Sequence, residues 1–275
     1  MKDADTKSFK RRKNMIRIDM EKCIGCMKCV SVCPFTVLGE KDGRPQLREG
    51  KACLKCMHCG AACPQNAVSF DEEDSVLPQP LPVLSEEFPQ QLEQHILMRR
   101  SYRHFKPEPP ERETIRHALE LASWAPSAKN QHPAKWIVID SKEVIEKMMQ
   151  YILKYVRESG TSPEIATEYE EGNNVVMGTA PMLILCYARN NAINSPADTA
   201  IAMTTAELIL QARGIGTCWS GYLTRLCNSI PQIRELLPQL PDNNSFYGAF
   251  MVGYPQNEEY LHIPQRLKRE DIQWV

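Results

Sequence analysis

Eight of the eleven cysteines in this chain stand in two copies of one run, and nothing else in the sequence limits its possible folds so sharply. The copies read Cys23-Ile-Gly-Cys26-Met-Lys-Cys29-Val-Ser-Val-Cys33-Pro34 and Cys53-Leu-Lys-Cys56-Met-His-Cys59-Gly-Ala-Ala-Cys63-Pro64. The spacing C-x2-C-x2-C-x3-C-P lets three thiolates of one tight loop cap three corners of a 4Fe-4S cube, while the fourth reaches across to a second cube. The expected ligand sets are therefore Cys23, Cys26, Cys29 and Cys63 for one cluster, and Cys53, Cys56, Cys59 and Cys33 for the other. Zinc needs only four ligands in CxxC pairs, and a disulfide framework belongs to a secreted chain, so both are the weaker readings. The copies are offset by thirty positions, an internal repeat, and Ile16-Arg17-Ile18, Val37-Leu38 and Val68-Ser69-Phe70 supply short strand-like pieces around them. So small a fold cannot bury enough apolar surface unaided, so the clusters are expected to be its core as well as its redox centres.

Residues 15–71 resemble the bacterial two-4Fe-4S ferredoxins over their whole length, which implies a module that accepts and passes single electrons. The full 275 residues exceed such a module and suit one small plus one medium domain. A formal net charge of -1 gives no preference for nucleic acid or an anionic membrane. Residues 1–14 form a basic tail (Lys7, Lys10, Arg11, Arg12, Lys13), read as a solvated end, with a docking patch for an acidic electron donor as the sharper alternative. No apolar h-region follows it, no run approaches the length of a membrane span, and the cysteine usage points to a reducing cytoplasm.

Acidic and proline-rich residues (Asp71-Glu-Glu-Asp74, Pro78-Gln-Pro80-Leu-Pro82) mark a linker, placed at 72–88, ahead of a second domain at 89–275. Pro89 to Met98 reads as a helix. Pro109-Pro110 opens another, with Ile115, Ala118, Leu119, Ala122 and Ala125 on one face. Trp136–Ile139, Met182–Tyr187 and Phe246–Val252 read as core strands. A buried central helix is expected from Pro196 to Arg213, with Ser195 and Asp198 at capping-box spacing and Gly214 closing it. The expected class is α+β.

Arg99-Arg100-Ser101-Tyr102-Arg103-His104-Phe105 sets three guanidinium groups after a helix, where a solvated charge run competes with a phosphate site. Further segments follow in order: Ala125-Pro-Ser-Ala-Lys-Asn130, Ala180-Pro181, Gly214-Ile-Gly216-Thr-Cys-Trp219-Ser-Gly221, Val252-Gly-Tyr-Pro255 and Pro264-Gln-Arg266. In that order, from about Pro89 to Val275, the chain is similar to the nitroreductase-family flavoproteins. The resemblance implies that Arg99, Arg100, Ser101 and Arg103 hold the FMN phosphate and ribityl chain, with Arg266 closing on the same phosphate. It also implies an intertwined homodimer in which Pro126, Ser127, Ala128 and Asn130 line the isoalloxazine from the neighbouring subunit. Ser220 and Gly221 are implied to bring backbone donors to its N5 edge, where a glycine permits close approach.

Other residues carry plainer readings. Gly214-x-Gly216 does not complete G-x-G-x-x-G and follows a helix, which argues against a dinucleotide site. His58 is read as packing or donating to a cluster sulfur, Cys218 as a buried small residue, and Tyr222 and Tyr169 as facing substrate or filling core. Family members commonly take hydride from NAD(P)H, whereas a fused ferredoxin suggests an outside low-potential donor such as a ferredoxin. The expected function is an iron-sulfur flavoenzyme that passes electrons through two 4Fe-4S clusters and FMN to a small electron-poor acceptor such as a nitroaromatic. The alternatives are an ene-reductase, a dehydrogenase or a reductive dehalogenase, or a non-catalytic electron-transfer adaptor.

Overall fold

The computed structural model describes residues 16–70, 79–256, 260–264 and 272–275. The basic tail 1–14, the acidic stretch Asp71-Glu-Glu-Asp74 and Arg266 lie outside the described residues. The chain divides into two compact units, Met1–Leu84 and Ser85–Val275.

The first unit runs β1 (Ile16–Ile18), α1 (Lys28–Ser31), β2 (Leu38–Lys41), β3 (Arg44–Leu47), α2 (His58–Ala61) and β4 (Val68–Phe70). The sequence repeat is also a backbone repeat. Positive φ occurs at Gly25 and Lys55 (68° and 56°), Met27 and Met57 (56° and 58°), and Thr36 and Asn66 (51° and 49°), each pair thirty positions apart. Met27 and Met57 open the one-turn helices, so the same left-handed kink folds each cysteine loop back before its last thiol. β1 pairs antiparallel with β4, Ile16 opposite Phe70, which ties the ends of the repeat together. Between the copies lies the hairpin β2–β3, of which the sequence signalled only Val37-Leu38; its Pro45 is tolerated because a two-stranded ribbon has free edges. The apolar core is small, built on Ile16, Val37, Leu38 and Val68 with the buried Cys29 and Cys59.

The second unit begins with α3 (Phe88–Met98) and α4 (Arg112–Ala122), then β5 (Lys135–Ile139), α5 (Lys142–Ser159) and α6 (Glu164–Glu170). It continues with β6 (Met182–Arg189), α7 (Ser195–Gln211), β7 (Gly216–Trp219), α8 (Gly221–Ser229), α9 (Pro231–Leu236) and β8 (Asn244–Gly253). The sheet order is β5-β6-β8-β7, all antiparallel, so the last strand inserts between two earlier ones. β6 alternates between two cores. Leu183 and Leu185 face the layer containing α5, α8 and α9, while Met182, Ile184 and Cys186 face α4 and α7. A strand buried on both faces reads as a continuous apolar run, which is why β6 and β8 are visible in the sequence. The class is α+β, as expected.

Three expectations need correction. Ala125 is buried but lies beyond the end of α4. The capping box at the start of α7 does not form: Asn194 is the N-cap, the Ser195 hydroxyl donates to the Arg189 carbonyl (2.5 Å), and the Asp198 carboxylate accepts from a distant loop. Nor is α7 buried all round, since Ile201 is exposed in the single chain, as is Ala212 at its C-cap. The helix α5 went unread despite Ser141 capping it, Gly160 closing it at φ 66°, and Met148, Met149, Ile152, Leu153 and Val156 on its buried face.

Candidate cofactor sites

Two pockets occupy the first unit. One is lined by Cys23, Cys26, Cys29 and Cys63, the other by Cys53, Cys56, Cys59 and Cys33, so each takes three thiols from one copy and the fourth from the other. Burial pushes the Cys29 thiol up, and the proximity of Cys63 and Cys23 adds to it. Burial likewise pushes Cys59 up to about 11, the Gly60 amide opposing and Cys53 and Cys56 reinforcing. Thiols so placed resist ionising together unless a positively charged group sits among them, which is what a metal cluster supplies. Backbone amides already aim at three sulfurs: Val37 at Cys33 (3.2 Å), Ala67 at Cys63 (3.3 Å) and Lys55 at Cys53 (3.3 Å). Such donors stabilise thiolate and tune a bound cluster. Among the described residues no three His, Cys, Asp or Glu side chains converge as ligands of a single ion. His58 lines the second pocket beside four thiols.

In the second unit the arginine segment leaves α3 and is riveted to α7 and β7. The Arg99 guanidinium lies 3.6 Å from the carboxylate of Glu207. The Thr217 hydroxyl donates to Glu207 (3.1 Å) and accepts from the Gln211 amide (2.8 Å). Gln211 also grips the backbone of Arg100 at both ends, its oxygen accepting the N–H (3.1 Å) and its amide donating to the carbonyl (2.8 Å). The Tyr102 N–H donates to the Thr217 carbonyl (3.0 Å), so the segment adds to β7. Arg100 donates to the carbonyls of Leu97 and Arg99, and to that of His262 (3.3 Å), with the Tyr260 ring 5.7 Å away. Arg103 is exposed and bonds the Ser101 carbonyl (3.3 Å). Its own carbonyl needs Gly178, where φ is 56° and a Cβ would fall 2.2 Å from that oxygen. Cys218 is buried alongside; burial pushes its thiol up, opposed by Arg103 and Ser101, so it stays a neutral packing group. The sequence alone does not single out Glu207 and Gln211, although two polar side chains four apart on a mainly apolar helix are a signal for paired partners.

Pro126, Ser127, Ala128 and Asn130 form a strained loop around a 3-10 turn at Ala128–Asn130. Lys129, Asn130 and His132 take φ of 49°, 54° and 43°, each left-handed without being glycine. Such residues cost on the order of 1–3 kcal/mol apiece and persist only where the surroundings over-determine them. Here Asp198 accepts the Ala128 N–H (2.8 Å), Ser127 accepts the His132 N–H (2.9 Å), and Asn130 pairs with the His132 ring (2.8 Å). Asp198 is buried, and among the described residues its Oδ2 has no hydrogen-bond partner. The loop thus hangs on one end of α7 and the arginine segment on the other. Asp198 and Glu207 are nine residues apart, about 14 Å along a helix axis.

Ser220 ties β7 to β8 and to α8. Its N–H donates to the Ala249 carbonyl (2.9 Å), while its hydroxyl caps α8 by accepting from Leu223 (3.1 Å) and donates to Val176 (2.6 Å). In the single chain its amide thus serves the sheet. Gly221 opens α8, where backbone N–H groups lack intrahelical partners, and a Cβ there would meet nothing within 4 Å.

These features stand in a fold with known relatives. A family model described as the nitroreductase family matches residues 96–254, more than half of the chain. This chain belongs to the nitroreductase family. A model described as a 4Fe-4S dicluster domain matches residues 22–68, so the nitroreductase unit follows a ferredoxin-type unit. Two nitroreductases solved with bound FMN are similar in fold. The one from Desulfitobacterium hafniense DCB-2 is 23% identical with a TM-score of 0.57, covering 66% of this chain and 97% of that one. The one from Bacteroides fragilis is 23% identical with a TM-score of 0.55, covering 67% and 98%. Among curated proteins, one of Archaeoglobus fulgidus, provisionally named an NADH dehydrogenase/NAD(P)H nitroreductase, is 26% identical over 64% of this chain and 95% of its own. The iodotyrosine deiodinase of Danio rerio is 26% identical over 64% of this chain and 62% of its own.

In this nitroreductase-family chain Gly216 serves packing. A Cβ on it would lie 2.9 Å from the Tyr102 ring, so the glycine lets the arginine segment close on β7. Tyr222 packs half-buried against the main core and donates to Glu164 of α6 (2.9 Å) under the Arg225 guanidinium (5.3 Å), whereas Tyr169 is exposed. A cavity of about 370 Å³ beside α9, lined by Arg234, Leu237 and Phe246 among others, holds none of the candidate cofactor residues.

Proposed function

We propose that this chain is an iron-sulfur flavoenzyme whose substrates are an outside low-potential electron donor, such as a ferredoxin, and a small electron-poor acceptor, such as a nitroaromatic. The observation that carries this reading is the gathering of eight thiols into two crossed sets of four, in a chain whose second unit has the nitroreductase fold. Residues 15–71 are the ferredoxin-like module, 72–88 the linker and 89–275 the FMN domain, a partition that the two compact units support. FMN when bound supplies two-electron reduction, and the 4Fe-4S clusters supply single-electron carriage.

The residues fit these cofactors. Arg99, Arg100 and Arg103 bring three fixed positive charges against the single carboxylate of Glu207, an excess suited to a phosphate, with the Ser101 hydroxyl beside them. Arg266 adds a fourth in this reading; earlier in the sequence, Tyr260 and His262 meet Arg100. Gly221 offers an N–H and open space to the ring edge. Pro126, Ser127, Ala128 and Asn130 line the ring from a second copy, because in one chain they hang from the end of α7 remote from Arg99. The homodimer gains support from α3, whose Phe88, Leu92, Ile96, Leu97 and Met98 are all exposed in the single chain. An eleven-residue helix that buries nothing needs a partner surface. Among the described residues no helix is long and apolar enough to cross a membrane; a cytoplasmic enzyme is the reading that the reduced cysteines support.

A second reading, reductive dehalogenation on the same cofactors, is favoured by the likeness to iodotyrosine deiodinase. The deciding experiment is an acceptor screen with anaerobically prepared protein and chemically reduced ferredoxin. Turnover of nitroaromatics supports the first reading and turnover of halophenols the second. Electron exchange with a protein partner alone makes the chain an adaptor, and full activity with NADH alone removes the need for an outside protein donor.

A further inference from the structure

Glu207 is 5% exposed on a helix whose buried face is otherwise built mainly of small and apolar side chains. A carboxylate is costly there, and leucine would fill the space without desolvating a charge. Its polar contacts are the Thr217 hydroxyl and, at 3.6 Å, the guanidinium of Arg99. We infer that Glu207 is a positioning residue for FMN capture, holding the Arg99 guanidinium in place before the phosphate arrives. This rests on the assignment of Arg99 to the phosphate made above.

The geometry divides the task. Gln211 clamps the backbone of Arg100 and Thr217 that of Tyr102, so the path of the segment is set without Glu207. What remains free is the long side chain of Arg99, 31% exposed, whose rotamers would otherwise be ordered only on binding. Glu207 removes that freedom in advance. A guanidinium carries five donors in one plane, so one edge faces the carboxylate and another stays open to a phosphate. The same negative charge repels the phosphate, but from beyond the intervening cation, where Coulomb's law weakens it. Positioning therefore wins.

The charged state of Glu207 matters to this role. Burial raises its pKa, with Arg99 and then Thr217 opposing. The other titratable group facing it is Cys218 of β7, itself pushed up by burial and so neutral, with Arg103 beyond. Glu207 thus takes up its proton at a pH less acid than an ordinary glutamate, and the protonated form no longer holds Arg99.

The test uses full-length, cluster-loaded protein stripped of FMN and measures the FMN dissociation constant by flavin fluorescence against pH. The variants are Glu207→Gln, Glu207→Leu, Arg99→Ala and the double Arg99→Ala/Glu207→Gln. Glu207→Gln and Glu207→Leu are expected to weaken FMN about tenfold at neutral pH, the size of one charge-assisted contact. The ratio of Gln to native constants should shrink toward one as pH falls through the titration of Glu207. Comparing the two proteins cancels the titration of the phosphate itself. In the Arg99→Ala background, Glu207→Gln should add nothing. A ratio independent of pH, additive effects in the double variant, or tighter binding in both Glu207 variants overturns the inference. Leucine guards against a folding artefact, since it suits the apolar face and melts at or above the native temperature if only charge was lost. Unchanged affinity in Arg99→Ala would instead strike the phosphate assignment on which the inference rests.

Discussion

Arg100 and Asp198 show how much single side chains do in this unit. Arg100 spends its guanidinium on the Leu97, Arg99 and His262 carbonyls, so its removal loosens both the segment and the C-terminal stretch that meets it. Arg100→Ala is expected to weaken FMN by about ten- to a hundredfold, from roughly 1.5–3 kcal/mol for a charged hydrogen bond. Flavin fluorescence checks this, with the cluster absorbance unchanged; equal affinity would return the segment to a solvated charge run. Asp198→Ala strips the Ala128 N–H of its acceptor beneath a loop that already holds three left-handed residues. A loss of about 1–3 kcal/mol in a denaturant titration is expected, while Asp198→Asn, which keeps an acceptor oxygen, should lose less.

Helix α3 and the loop of Ser127 to His132 are the elements that a single chain leaves unfinished. The helix meets α7 through His95, whose ring nitrogen lies 2.8 Å from the Leu208 carbonyl, yet none of its eleven residues is buried. If a second copy covers it, Ile96→Glu places a charge in that interface and should shift the protein toward monomer in sedimentation velocity. FMN content should fall in step, because the ring-lining loop belongs to the other copy in the proposed arrangement. A monomer that keeps stoichiometric FMN would contradict the shared site.

Taken as one redox protein, the chain should carry about eight iron atoms, from two 4Fe-4S cubes, with one FMN per chain when prepared without oxygen. Iron, acid-labile sulfide and flavin analyses measure this; tightly held zinc without sulfide would remove the cluster reading. Cys56→Ala takes one thiol from the pocket of Cys53, Cys59 and Cys33. Turnover driven by reduced ferredoxin should then collapse, while acceptor reduction after direct chemical reduction of the flavin should survive. Persistence of ferredoxin-driven turnover after confirmed loss of that cluster would end the proposal that electrons must enter there.

Much of this was legible in the residues alone. The cysteine spacing foretold which thiols would share a pocket, because a tight loop of fixed length leaves few ways to place its corners and the thirty-residue repeat copies the backbone turn for turn. β6 and β8 could be read as strands because burial on both faces leaves only apolar residues in their sequence. The arginine segment was visible too, but not what holds it. Glu207 and Gln211 acquire their meaning from residues far upstream that only the folded chain brings against α7. That the Ser220 amide meets the Ala249 carbonyl depends on β8, which comes last in the chain and inserts beside β7. The capping box failed for the same reason: Asp198 had a better partner in a loop seventy residues earlier. Local spacing and period are written into neighbouring residues, whereas the destination of a buried charge or amide depends on which remote backbone arrives, and that is settled by packing.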